Sequence, residues 1–217
     1  MAGSIIKPFV VNPFSVNTYL IYDSFNNAVL IDAGFYFNYE KEKFLSFVNN
    51  NKLKINTVIL THAHVDHILG LKFLSNHFTF QLYVSYYDNY FLKNASQYAN
   101  MFGFDYDGFP KNIDIKYIDS NIKIETESIE LNILETPGHS PGSICIYNQK
   151  ENYIFTGDTL FYESVGRADL PGGDYFKLLN SIRKNLFILP EETIVYPGHG
   201  ISTTIKHEKI FNPYVKN

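Results

Sequence analysis

Thr61–His67 reads THAHVDH, which places three histidines and an aspartate within seven residues. The stretch leading into it, INTVILT (Ile55–Thr61), is rich in β-branched types and reads as a buried strand. A dense set of metal-type side chains therefore sits where a strand ends and a loop begins. The helical pattern that follows predicts a helix starting at Asp66 and running through His67–Asn76 (HILGLKFLSN).

Three later segments repeat that grammar. LNILE (Leu131–Glu135) runs into TPGH, ending at His139. NYIF (Asn152–Phe155) runs into TGD, ending at Asp158, and TIVY (Thr193–Tyr196) runs into PGH, ending at His199. In each, an apolar strand stops at a turn containing Gly or Thr and then presents a ligand-type side chain. Strand ends on a rigid sheet position such groups well. Counting His62, His64, Asp66, His67, His139, Asp158 and His199 gives more ligands than one tetrahedral ion takes. Two ions sharing a carboxylate would use them all. Imidazole suits zinc, iron or nickel, and the carboxylates widen the choice to manganese. His77 and His207 fall outside the pattern and read as surface residues. Cys145 reads as a buried structural thiol. Ser140 has no separate His–Asp pair to activate it as a nucleophile.

The length of 217 residues suits one α/β domain over residues 1–217. A hydrophobic fraction of 45% and an aromatic fraction of 17% argue for a packed globule. A net charge of -4 without charge runs gives no sign of a nucleic-acid partner. One cysteine allows no disulfide within the chain. The N-terminus lacks the basic and apolar regions of a signal peptide, and no apolar run reaches membrane-spanning length. A cytoplasmic protein with no membrane partner is expected.

Strands at Lys7–Val11, Thr18–Asp23 and Ala28–Asp32 precede a helix over Asn38–Asn50, whose Phe44, Phe47 and Val48 share a face. Further helices are predicted over Tyr86–Phe102, Asp174–Phe187 and Thr203–Phe211. Segments from Ile115 to Asp158 read as a meander of five strands. Two strand-rich halves, each followed by helices, suggest two sheets face to face with helices outside.

At these residues the chain resembles the metallo-β-lactamase-fold hydrolases. Their His-x-His-x-Asp-His signature is met by His62, His64, Asp66 and His67, and their downstream His, Asp and His by His139, Asp158 and His199. The resemblance implies an αββα sandwich of two mixed sheets flanked by helices, with the site along one edge. It assigns His62, His64 and His139 to one metal, Asp66, His67 and His199 to the other, and Asp158 to the bridge. Within that superfamily the chain most resembles the short glyoxalase II-like branch, the hydroxyacylglutathione hydrolase-like proteins. The match rests on TPGHSPGS (Thr136–Ser143), FTGDTLF (Phe155–Phe161), GRADLPGGD (Gly166–Asp174) and YPGHG (Tyr196–Gly200). β-Lactamases with a cysteine ligand are disfavoured because Asp158 stands at that position. Flavodiiron proteins are disfavoured because their Glu-containing pattern is absent. Full-length glyoxalase II carries an added helical domain that helps bind glutathione, and about eighteen residues follow His199 here.

The ligand set together with this resemblance implies a hydrolase with two divalent metal ions, zinc first and iron or manganese as alternatives, that cleaves a small-molecule thioester of the hydroxyacylglutathione type. Asp66 would orient the attacking hydroxide and handle its proton, and Asp158 would hold both metals. Arg167, one of only two arginines, would either anchor a substrate carboxylate or pin its own loop through the backbone. The alternatives on the same fold are a persulfide dioxygenase using one iron on His62, His139 and Asp158, and a lactonase. A non-enzymatic metal-binding protein is the alternative of another class.

Overall fold

The computed structural model describes residues 3–118, 122–126 and 128–215. The first half builds a six-stranded sheet from β1 (Ile5–Val11), β2 (Val16–Tyr22), β3 (Asn27–Ile31), β4 (Lys54–Ile59), β5 (Gln81–Ser85) and β6 (Asp114–Ile118), in that spatial order. β1 to β3 pair antiparallel, and β3 to β6 pair parallel. The parallel pairs need crossovers. These are supplied by α1 (Asn38–Asn50), α2 (Leu71–His77) and the pair α3 (Asn89–Lys93) and α4 (Ala95–Met101).

The second sheet holds β7 (Lys123–Glu125), β8 (Glu130–Glu135), β9 (Ile144–Asn148), β10 (Tyr153–Gly157), β13 (Ile194–Pro197) and β14 (Thr203–Thr204), in the order β14-β13-β10-β9-β8-β7. A small hairpin of β11 (Leu160–Phe161) and β12 (Ser164–Val165) follows β10. α5 (Tyr175–Ser181) carries the chain across to β13, and α6 (Ile205–Phe211) closes the element order. β8 and β10 each pair antiparallel with β9, and β13 pairs parallel with β10. Hence β8, β10 and β13 all point the same way, and their C-terminal ends share one edge.

The two sheets face each other. Tyr19, Ile21, Val29, Ile31 and Ile59 alternate along the first sheet and meet Leu131, Ile133, Ile144, Ile146 and Phe155 of the second. The opposite face of the first sheet offers Leu20, Leu30 and Val58 to Phe44 and Val48 of α1 and to Leu71 and Leu74 of α2. Cys145, Ile154 and Val195 pack likewise against Leu178 of α5 and Ile205 of α6. Strands buried on both faces explain the near-continuous apolar runs of the sequence. Each such side chain, fully buried, contributes about 1.5–3 kcal/mol.

Several expected elements are corrected. The segment Ile115–Asp119, read as the start of the second-half meander, instead provides β6, the last strand of the first sheet, parallel to β5. The α3–α4 crossover brings the chain back in the same direction. Its last expected residue, Asp119, lies outside the described residues. No helix begins at Asp66. Val65–His67 is a single 3₁₀ turn, and α2 starts only at Leu71. The backbone between them bonds outward: Gly70 donates its N–H to Ala33, and Ala33 donates to His67. The helix expected over Tyr86–Phe102 is broken into a 3₁₀ turn, α3 and α4. Asp88 is pulled into the core there to accept N–H groups from Ala63 and Gly142. α5 stops at Ser181 and passes into a wider π-type turn over Ile182–Leu186. Phe44 and Val48 are buried on α1 as expected, with Phe47 packed beside them. No helix among the described residues is long and apolar enough to cross a membrane.

Candidate metal centre

Four strand ends deliver the seven sequence-picked ligands to one place. β4 leads to His62 and His64 and then to the turn holding Asp66 and His67. β8 leads to His139, β10 to Asp158 and β13 to His199. The sheets are tied at this edge, where Ile144 donates its N–H to the Thr61 carbonyl and Asn17 donates to Gly198. Tyr19 Oη and Asn17 Nδ2 both donate to the carbonyl of Pro197, just before His199.

Three groups have donor atoms close enough to share an ion: His62, His64 and His139; His62, His67 and Asp158; and Asp66, His67 and His199. His64 Nδ1 lies 2.8 Å from His139 Nε2, which lies 3.2 Å from His62 Nε2. Asp158 stands between the histidines of both sides. Its Oδ1 is 3.4 Å from His67 Nε2, and its Oδ2 is 3.6 Å from His139 Nε2 and 3.4 Å from His199 Nε2. Asp66 Oδ2 lies 3.5 Å from His199 Nε2 and 3.7 Å from His67 Nε2.

The outward side of four of the five rings is already occupied. His139 Nδ1 donates to the Arg167 carbonyl at 2.7 Å, and His199 Nδ1 donates to the Phe14 carbonyl at 2.9 Å. His67 Nδ1 meets Asp32 Oδ2 at 2.8 Å. The Thr61 hydroxyl donates to the same Asp32 oxygen at 2.8 Å and so is left to accept from His62 Nδ1 at 3.1 Å. A ring that donates through Nδ1 presents a bare Nε2 lone pair to the centre, which is the tautomer a metal ligand needs.

The residues therefore fit a pair of divalent ions. His67 Nε2 and Asp158 Oδ1 are buried and lack any hydrogen-bond partner. Buried polar atoms are seldom left so, and an ion accounts for both at once. Burial works against charge on His62 and His64, and the neighbouring imidazoles reinforce it. His62 is held well below the ordinary histidine range, and His64 is pushed down to about 3. Burial also opposes charge on His67, but the Asp32, Asp66 and Asp158 carboxylates outweigh it and raise the ring. For His199 burial is likewise outweighed by Asp158 and Asp66, which raise it to about 9. Burial would raise Asp158, yet His67 and His199 pull it well below the usual carboxylate range.

Other candidates lie apart. His77 is bonded to the Phe73 carbonyl, and His207 pairs with Glu163 at 3.0 Å. Ser140 donates to Asp88, and Cys145 is fully buried. Arg167 lines the cavity over the cluster, and its guanidinium does not pin the loop through the backbone. It forms a bidentate pair with Asp169, both contacts at 2.9 Å. Its loop is held instead by its carbonyl, which orients His139.

Two functional aspartates were missed. Asp32 follows β3 as the ligands follow their strands, so the same strand-end rule would have found it. It accepts from the Thr61 N–H as well as from the Thr61 hydroxyl and His67, with a left-handed φ of 60°. Asp88 carries no such signal. The cavity walls include Phe14, also missed, with Tyr98, Met101 and Phe102 from α4 and its C-terminal end.

Known proteins share this sequence pattern and fold. The family model of the metallo-beta-lactamase superfamily matches residues 11–199. The chain is 34% identical over 218 residues to the hydroxyacylglutathione hydrolase GloC of Haemophilus influenzae, covering 98% of each. Among solved structures it resembles the BLEG-1 B3 metallo-beta-lactamase at 32% identity and a TM-score of 0.89, covering 98% of this chain and 100% of that one. It resembles TTHA1623 in a di-iron-bound form at 33% identity and a TM-score of 0.85, covering 96% of this chain and 99% of that one.

Proposed function

The chain belongs to the metallo-β-lactamase superfamily, and from that premise we propose a dinuclear metal-dependent hydrolase that cleaves a thioester, the hydroxyacylglutathiones being the first to test. The observation that carries the reading is the position of Asp158 between His139 on one side and His67 and His199 on the other, with its own Oδ1 and His67 Nε2 buried and without a hydrogen bond. Thioester chemistry is supported by the likeness to a hydroxyacylglutathione hydrolase over nearly the whole of both chains.

His62, His64 and His139 would hold one ion, Asp66, His67 and His199 the other, and Asp158 both. When bound, the ions supply a Lewis acid for the thioester carbonyl and lower the pKa of water so that a nucleophile exists at neutral pH. Asp66 lines the cavity beside His199, from where it would take the proton of the attacking water. Asp32 and Thr61 hold His67 and His62 in the binding tautomer. Phe91 and Phe14 line the cavity over the cluster. A thiolate leaves readily, so the site needs no dedicated acid for the leaving group. Zinc is the first choice for this histidine-rich set, and the di-iron relative makes iron the second.

The test is metal analysis combined with thiol release from S-lactoylglutathione by zinc-loaded and iron-loaded protein, with oxygen uptake followed in parallel. Both preparations should release thiol without consuming oxygen, at rates within roughly tenfold (about 1.4 kcal/mol of barrier). Oxygen uptake dependent on iron and a persulfide, without thioester cleavage, would replace this reading with a dioxygenase. The likeness to a B3 metallo-beta-lactamase favours β-lactam hydrolysis as a second reading. A β-lactam in the same assay, cleaved faster than any thioester, would establish it.

A further inference from the structure

The floor of the site is charged, but its walls are not. The cavity over the metal cluster has a volume of about 390 Å³, within the range that encloses a small organic ligand. Its walls include Phe14, Phe91, Tyr98, Met101, Phe102 and Leu170. Three of these stay open at the mouth, Phe14 at 42%, Met101 at 63% and Phe102 at 39% exposure. The Phe14 and Phe102 rings meet edge to face at 5.8 Å. An apolar rim of this kind, contiguous with a catalytic floor, marks a surface that is covered when a ligand binds.

Charge points the same way. Among the described residues lining the cavity, Arg167 is the single lysine or arginine, and its guanidinium is already paired with Asp169. A ligand bringing several carboxylates finds at most this one exposed side-chain cation among the described lining residues. A small hydroxylated acyl group, held with its carbonyl over the charged floor, would leave the aromatic and aliphatic walls uncovered.

We propose that the substrate of this site carries an apolar group next to the thioester, an alkyl chain of roughly four to eight carbons or an aromatic ring. The inference rests on the hydrolase reading above and specifies its substrate class. The apolar group can belong to the acyl side or to the thiol side, and paired comparisons separate these sources. Zinc-loaded protein is assayed with S-lactoylglutathione and S-hexanoylglutathione, which share a thiol. It is also assayed with the lactoyl thioesters of glutathione and of benzyl mercaptan, which share an acyl group. At least one apolar exchange should raise kcat/KM by about tenfold or more, the scale expected for burying several methylenes. That preference should shrink about fivefold in Phe102→Ala and less in Phe102→Leu, the second variant guarding against a folding defect. If neither exchange raises kcat/KM, or if the preference persists unchanged in both variants, the apolar-substrate inference is overturned while the hydrolase reading stands. If no thioester is cleaved above the zinc-free background, the hydrolase reading fails and this inference with it.

Discussion

Asp32 accepts three hydrogen bonds directly behind the cluster, from the Thr61 N–H, the Thr61 hydroxyl and His67 Nδ1. Asparagine is nearly the same shape but has only one oxygen, so it cannot satisfy all three donors. If its amide NH₂ faces His67, the ring must accept at Nδ1 and turn a protonated Nε2 toward the metal. Asp32→Asn is therefore expected to weaken metal binding about 10- to 100-fold, read by chelator competition; wild-type affinity would contradict this role. Asp158→Ala should weaken both ions and abolish most activity, whereas His77→Ala should change stability by less than about 0.5 kcal/mol. Full activity in Asp158→Ala would overturn the ligand assignment. Protonation also separates the two sides of the centre. Histidine binds metal only when neutral. His62 and His64 are held low, so their side should load even in mild acid. His67 and His199 are raised, His199 to about 9, and must lose protons first. Metal titrations should then show one tight equivalent near pH 6, with the second tightening as pH rises toward 9. Simultaneous binding of both equivalents at pH 6 would contradict that order.

At the scale of elements, the site depends on turns that follow strands. β10 ends at Gly157, whose φ of 47° places it in the left-handed region that glycine adopts without strain. That bend presents Asp158 to the cluster. β13 ends one residue before Gly198, where a Cβ would meet the Asp158 carboxylate oxygen and come within 3.0 Å of His67 Cε1. A methyl group there must displace the groups that the centre needs. Gly198→Ala should therefore lose at least about tenfold in kcat, since small displacements of reacting groups cost rate steeply. Its far-UV circular dichroism should stay native, because the strand itself is untouched. An active Gly198→Ala enzyme with wild-type metal content would show that this close approach is unimportant. The turn after β8 works differently: it is held from outside, where Asp88 binds the Ser140 hydroxyl and the Gly142 N–H.

For the whole molecule, the sandwich has three apolar layers, one between the sheets and one beneath the helices on each side. Cys145 lies in the layer under α5, fully buried, and burial raises its thiol from 9.0 to about 12. A group whose pKa is raised on folding adds stability below its unfolded pKa and loses it as pH climbs through the folded value. Cys145 therefore supports the fold at neutral pH and ceases to do so between pH 9 and about 12. A thiol reagent at pH 8 should not modify the native protein, and labelling in denaturant should follow the global unfolding transition. Labelling well before that transition would show that the helical layer opens locally.

The sequence by itself determined which side chains meet in the candidate metal centre. The seven ligand-type residues and the Gly or Thr turns beside them were legible because each follows an apolar strand, and strand-to-turn grammar is local. The burial of Cys145 and the outlying places of His77 and His207 were legible for the same reason, since each followed from its immediate neighbours. Only the tertiary structure decided the rest. β6 reads like any other short strand, and its place in the first sheet follows from a crossover that returns the chain parallel to β5. The helix expected from Asp66 is cut short because its backbone bonds to Ala33, a partner distant in sequence. Asp32 stands at a strand end and obeys the same local grammar, but Asp88 matters through hydrogen bonds to Ala63, Ser140 and Gly142, about 25 to 54 positions away, and such pairings leave no local periodicity to read. The apolar wall over the metals arises only when Phe14 and Phe102, far apart in the chain, are brought together by the packing of the first sheet and its helices.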